Sequence, residues 1–160
     1  MGGYRILGTT TMITLARTTS QNKDFQELIR LLDEGLWERY GEIQGPYVAL
    51  NKVENNQTVI VAYVEGIAQG CGCFKQLQHS VVEIKRMFVR EEARGKGIAS
   101  ALLKELESWA IELGNTIAIL ETGTKQIEAI GMYKKSGYSQ MDNYEPYIGM
   151  PYSVCFQKDL

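Results

Sequence analysis

Residues Val81–Gly114 read VVEIKRMFVREEARGKGIASALLKELESWAIELG, and this stretch decides the fold. Val81 to Val89 is β-branched and apolar and stops at the charged run Arg90 to Arg94, the pattern of a strand. Beyond Gly97 the period changes. Ile98, Ala99, Leu102, Leu106, Trp109, Ala110 and Leu113 fall on one helical face, with Lys104, Glu105, Glu107 and Glu112 on the solvated side. Gly114 stands where a helix C-cap belongs. Between strand and helix lies Arg94-Gly95-Lys96-Gly97-Ile98-Ala99. A helix N-terminus offers about four N–H groups without internal partners and roughly half a positive charge. Glycines let a ligand approach those groups, and Arg94 and Lys96 add full charges, so the turn reads as a phosphate-binding one.

On the N-terminal side, Thr58–Val64 and Ile67–Leu77 are strands joined at Glu65-Gly66, a hairpin signal, and with Val81–Val89 they make a meander. Asn22–Tyr40 reads as a helix with Phe25, Leu28, Ile29, Leu32, Leu36 and Trp37 on one side, weakened at Gly35, where a break into two helices is an option. Gly41–Gln57 is punctuated by Gly45-Pro46 and Asn55-Asn56 and reads as a connection; whether Val48–Val53 pairs with the sheet is open. Met12–Arg17 is a strand, and residues 1–11 read as a loose extension. On the C-terminal side come a strand at Thr116–Thr122, a helix at Lys125–Ser136 and strands near Tyr138–Asp142 and Ser153–Lys158. The order predicts an α/β fold of the α+β kind, a central mixed sheet flanked by helices with one βαβ crossover.

At 160 residues, 44% hydrophobic and 22% charged, residues 1–160 are expected to form a single domain with one good core. A formal charge of −2 gives no reason to expect a nucleic-acid or bilayer surface. No apolar run reaches the ~18 residues of a membrane helix. Three cysteines and no secretory signal read as reduced thiols in a cytoplasmic protein. Cys71-Gly72-Cys73 lacks a second ligand pair and His79 lies in an expected turn, so no metal is expected.

The turn Arg94–Ala99, following a strand that ends Met87-Phe88-Val89, resembles the acetyl-coenzyme A signature R/Q-x-x-G-x-G/A of the GCN5-related N-acetyltransferases (GNAT), in its R-G-x-G-I-A variant. Ala129-Ile130-Gly131-Met132-Tyr133-Lys134-Lys135-Ser136-Gly137-Tyr138 is similar to the family's A-x-x-L-Y-x-x-x-G-F segment. Two motifs in the family's order specify more than either alone. The resemblance implies the acyl-CoA N-acyltransferase fold and acetyl-coenzyme A as co-substrate, with its pyrophosphate on Arg94, Gly95, Lys96, Gly97, Ile98 and Ala99. It also implies a bulge that splays the Val81–Val89 strand from the next. That would free backbone contacts along Met87, Phe88 and Val89 (Met87 and Val89 foremost) for the pantetheine arm. Gln126 falls where the family often has an asparagine on that arm.

Acyl transfer to an amine needs the amine neutral, a donor for the carbonyl oxygen, and a proton for the leaving thiolate. Glu83 matches the glutamate that is the general base in the histone-modifying branch. Strand alternation would put it on one face with Lys85, Met87 and Val89; the plainer alternative is a solvated pair with Lys85 or Arg86. Tyr133 matches the tyrosine that protonates the thiolate, and core packing is its other reading. Glu121 either lines the acceptor pocket or caps the next helix. Tyr144, Tyr147 and Tyr152, with Pro146 and Pro151, form a loop of the kind that borders the acceptor in this fold.

The acceptor expected is a small amine or amino-acid-like molecule whose carboxylate meets Lys85 or Arg86, with a protein lysine or N-terminus as the other class. Dimerisation is frequent in the family, but no residue argues for it. One competing reading is a non-catalytic module that senses acyl-coenzyme A. A Rossmann-type dinucleotide enzyme is the other, and it fits poorly: Arg90–Arg94 separate the strand from the turn, and the meander has no place in that fold.

Overall fold

The computed structural model describes residues 2–5 and 12–160. One eight-stranded sheet runs in the order β1-β2-β3-β4-β5-β6-β8-β7. Its strands are β1 (Gly2–Arg5), β2 (Met12–Thr18), β3 (Val59–Val64), β4 (Ile67–Gln78), β5 (Val81–Val89), β6 (Ile117–Gly123), β7 (Ser139–Met141) and β8 (Ser153–Asp159). Neighbours are antiparallel except β5 and β6, joined by the crossover helix α3 (Ile98–Glu112). A doubly wound sheet would be parallel throughout, which removes the dinucleotide reading. Gly2–Arg5, expected as loose extension, pair with β2; the rest of that extension, residues 1 and 6–11, lies outside the described residues.

Strand alternation divides two cores. Ile13, Leu15, Ile60, Ala62, Phe74, Val82 and Ile84 face α3, against Leu102, Leu103 and Leu106. Val59, Val61, Ala68, Cys71 and Cys73 face α1 (Lys23–Tyr40), against Phe25 and Leu28. The helix α1 opens on Asn22, whose side chain accepts from the Phe25 N–H at 2.9 Å. It runs through Gly35 without the break the glycine suggested, because that position faces open space and only the intrinsic helix penalty of about 1 kcal/mol applies. Trp37, read with the apolar face, is 54% exposed.

The segment after α1 is not an irregular connection. A 3-10 helix over Gly41–Tyr47 and the short α2 (Val48–Asn51) bring Gln44 and Tyr47 inward, and Val48–Val53 is no strand. The β3–β4 hairpin turns on Glu65 and Gly66, both with positive φ (52° and 79°), the twist a two-residue connection needs. The last helix is α4 (Ile127–Lys135).

The central irregularity is in β5. Cys71 pairs with Phe88 and Cys73 with Lys85, so Arg86 and Met87 together oppose the single residue Gly72. This is the β-bulge implied by the resemblance, with Arg86 at φ 57°, a region residues other than glycine seldom enter. The extra residue shifts the side-chain period by one. Glu83 and Lys85 lie on the α1 side, as does Arg86, while Met87 and Val89 pack against the α3 core. The expected common face for Glu83, Met87 and Val89 is therefore corrected: unbroken alternation does not survive a bulge. On the α1 side Arg86 is 9% exposed and pairs with Asp33 at 2.7 Å.

Met87 fits because Gly72 lacks a side chain; a Cβ there would meet Met87 Sδ, and Leu106 Cδ1 at 3.0 Å. Gly72→Val should therefore destabilise the protein by about 1–3 kcal/mol, the usual result of overpacking. Urea denaturation checks this, and an unchanged midpoint would mean that Met87 swings aside freely.

Candidate active site

The strands β5 and β6 hold parallel register from Val81–Ile117 to Ile84–Leu120 and then part. Beyond that point β5 stays with β4, up to Val89–Gly70, and β6 with β8, up to Gly123–Ser153. A wedge opens between Lys85–Val89 and Glu121–Gly123. It belongs to a cleft of about 1080 Å³ walled by both strands, α1, the Arg94–Ser100 turn and α4. Met87, Phe88 and Val89 line it.

At the turn, Gly95 and Gly97 take φ of 77° and 82°, left-handed values that side chains resist, and α3 starts at Ile98 with no side chain capping its first N–H groups. Arg94 is held from behind, its Nε donating to the Val89 carbonyl at 2.9 Å and its guanidinium 5.8 Å from the centre of the Phe88 ring. Arg94, Gly95, Gly97, Ile98 and Ala99 line the cleft; Lys96 is exposed and outside the lining. The geometry is that of an anion site at a helix N-terminus.

On the α1 side of the wedge the structure gathers charge in a dry place. Glu83 is 3% exposed, so it is no surface pair. Its carboxylate accepts from the Tyr144 hydroxyl at 2.7 Å and lies 3.6 Å from Lys75 Nζ and 3.7 Å from Lys85 Nζ. Lys85 also donates to the Leu50 carbonyl at 2.8 Å. Burial lowers the Lys85 pKa, and Glu83 only partly opposes that. Arg86 is likewise engaged, donating to Asp33 and to the Ile29 carbonyl. The two cations expected to meet a substrate carboxylate are thus occupied inside the protein.

Glu121, left open between two readings, is the first residue of β6 past its last pairing with β5, and it lines the cleft. Burial is the largest influence on its carboxyl group and pushes it up to about 7; attraction from Lys85 opposes, and Glu83 adds to the rise. The Ser153 and Tyr147 hydroxyls also act to lower it, less than Lys85 does. It does not cap α4, whose N-cap is Gln126.

Tyr133 enters from the opposite side of the sheet. It is 5% exposed, packs edge-on to Tyr138 with centroids 5.8 Å apart, and also lines the cleft, so core and site readings both apply. Burial, with a smaller push from Glu121, raises its phenol well above the ordinary value, and it stands protonated at neutral pH. Gln126 lines the same wall, and its side-chain oxygen accepts from Arg39. Tyr147 and Tyr152 of the aromatic loop line the cleft, while Tyr144 holds Glu83.

Sequence reasoning missed Arg39, Tyr40 and Tyr47, which line the cleft. Tyr40 accepts from the Lys125 backbone N–H at 3.1 Å, and Tyr47 accepts from the Ser153 hydroxyl at 3.2 Å. The end of α1 carries Arg39 and Tyr40 to the cleft and the 3-10 segment carries Tyr47, and no spacing in the sequence marks either. Among the described residues no group of three or more His, Cys, Asp or Glu side chains is placed to hold a metal ion.

The sequence profile of the acetyltransferase (GNAT) family matches residues 21–138. An IAA acetyltransferase from Azospirillum brasilense is 31% identical over 150 residues, covering 92% of this chain and 98% of its own. N-acetyltransferase 8B from Rattus norvegicus is 36% identical over 72 residues, covering 45% of this chain and 30% of its own. Among solved structures, one from Klebsiella pneumoniae assigned as an acyl-CoA N-acyltransferase superposes with a TM-score of 0.74 at 29% identity, covering 94% and 98% of the two chains. A GNAT family acetyltransferase from Elizabethkingia anophelis with acetyl-CoA bound shares the fold, with a TM-score of 0.67 at 18% identity over 92% and 98% of the chains.

Gly97→Val forces a β-branched residue into left-handed backbone at the mouth of the anion site. The dissociation constant for acetyl-coenzyme A should rise by about tenfold or more, given a strain of order 1–3 kcal/mol at such a position. Calorimetric titration measures it; unchanged binding would place the coenzyme elsewhere.

Proposed function

The chain belongs to the acetyltransferase (GNAT) family, acyltransferases that use acetyl-coenzyme A, and from that premise we propose that it acetylates the primary amine of a small molecule by direct attack in a ternary complex. The observation that carries this reading is the wedge at Ile84–Leu120, with a carboxyl group on one side of the sheet and a phenol on the other, above an anion-binding turn. The pyrophosphate would lie on Arg94–Ala99 and the pantetheine arm along Met87–Val89, with Gln126 opposite. The whole chain acts as one catalytic domain in this proposal.

In the proposed step the amine nitrogen attacks the thioester carbonyl carbon. As the C–N bond forms, the nitrogen loses a proton to a carboxylate; as the C–S bond breaks, the sulfur takes a proton from Tyr133. Two carboxylates compete for the first role. Glu83, the base implied by the resemblance, already has Tyr144, Lys75 and Lys85 on its oxygens. Glu121 has its affinity for a proton raised into the neutral range, which suits a base working near pH 7. We therefore assign proton removal to Glu121 and give Glu83 the part of holding Lys85 and Tyr144 in place beside the wedge.

A carboxyl group with a pKa near 7 must be ionised to act, so kcat/KM should rise with pH through about that value. Glu121→Gln should remove this limb and lower kcat by about 100-fold or more, the usual contribution of general-base catalysis. If Glu83→Gln removes the limb instead, the assignment passes to Glu83.

Tyr133→Phe should lower kcat by about 100-fold while acetyl-coenzyme A affinity stays nearly unchanged. Stopped-flow thiol release and calorimetry separate the two quantities, and equal loss of both would leave Tyr133 a packing residue only.

A further inference from the structure

Among the described residues, the acceptor side of the cleft has one cation that the protein itself leaves without an anion. Lys75 and Lys85 are spent on Glu83, and Arg86 on Asp33. Arg39, at the end of α1, lines the cleft and donates only to neutral oxygens, the Gln126 side-chain carbonyl and the Lys125 backbone carbonyl at 3.4 Å. Among the described residues no carboxylate lies within ion-pair distance of it, although Glu38 beside it lines the same cleft.

We propose that Arg39 reads a carboxylate on the acceptor, so that the small molecule acetylated here is an amino acid or another amine carrying an acid group. This rests on the acetyl-transfer reading above and deepens it. The guanidinium is a planar fork of donors that matches a carboxylate with two parallel hydrogen bonds. Charge-assisted bonds are roughly twice as strong as those to neutral oxygens, so a substrate acid competes with Gln126 and Lys125 for Arg39. The rim that carries Arg39 is also fixed in place. Tyr40, the next residue, accepts from the Lys125 N–H, and its ring packs against Gly123, where a Cβ would collide with it. The cleft is thus bipolar: Glu121 at the wedge suits an ammonium group, and Arg39 at the rim suits a carboxylate. A zwitterion satisfies both ends, whereas a simple amine leaves Arg39 unpaired.

The contact with Gln126 raises a competing role, since Gln126 faces the coenzyme arm in the proposed function. The test separates the two. Phenylalanine, lysine, β-alanine and 4-aminobutyrate are assayed by thiol release, each beside its carboxamide, with the wild type, Arg39→Lys and Arg39→Gln. The expected result is at least one acid favoured over its amide by about tenfold or more in kcat/KM, with that preference cut to about twofold in Arg39→Gln through KM rather than kcat, as befits a binding contact. Arg39→Lys should fall between, and calorimetry should give all three proteins the same affinity for acetyl-coenzyme A. Amides turned over as well as acids, or a preference that survives Arg39→Gln, would overturn the proposal. A loss of acetyl-coenzyme A affinity in Arg39→Gln would also overturn it, by placing Arg39 in the coenzyme site. If no acid, amide or lysine-containing peptide is acetylated although acetyl-coenzyme A binds, the acetyl-transfer reading itself falls and this one with it.

Discussion

The backbone of β5 at Arg86 sets the terms for everything near the cleft. One residue too many on that strand turns the remaining side chains over and leaves Arg86 at a φ of 57°. Such a conformation persists only where surrounding contacts over-determine it. Here they are the Asp33 ion pair, the Ile29 carbonyl and the fit of Met87 over Gly72. The fit is imperfect, since the buried Arg86 Nε has no partner among the described residues. From the same irregularity β5 leaves β6, and a wedge exists where a sheet would otherwise be closed.

The wedge sorts chemistry by sheet face. Phenol and apolar side chains come from the α3 and α4 side; carboxylates and most of the cations come from the α1 side. Burial acts on both sets and is the strongest influence on Glu121, Lys85 and Tyr133 alike. It favours the neutral form of each, against the pull of nearby opposite charge on the first two. Glu83 is the carboxylate on which three neighbours converge, Tyr144, Lys75 and Lys85.

Much of this was legible in the sequence, for reasons that differ by residue. The α3 period, the Glu65-Gly66 hairpin and the glycine turn are local signals, and local geometry honours them. Tyr133 and the bulge were legible only through resemblance, because a bulge is set by pairing with Gly72 and leaves no mark in the period of β5 itself. Lys85 and Arg86 were read as available cations, yet their ion pairs join residues far apart in sequence: Arg86 meets Asp33, and Lys85 the Leu50 carbonyl. Arg39 stayed invisible because only the meeting of the end of α1 with Lys125 and Gln126 brings it to the cleft, and Tyr47 because Gly41–Tyr47 looked like punctuation and is a 3-10 turn that aims inward. Long-range pairing, and not propensity, decides which charges are left over.

The three cysteines have a consequence of their own. Cys71, Cys73 and Cys155 are each 0% exposed, and burial pushes all three thiols up, Cys73 to about 12 and Cys155 to about 11. Thiolate is the reactive form, so the native fold hides its sulfur both from contact and from ionisation. An enzyme that releases a free thiol at each turnover is thereby silent toward the electrophiles and disulfides that capture its product. Its own sulfur answers only when the sheet opens at β4 or β8, which makes thiol labelling a gauge of local opening written into the chain.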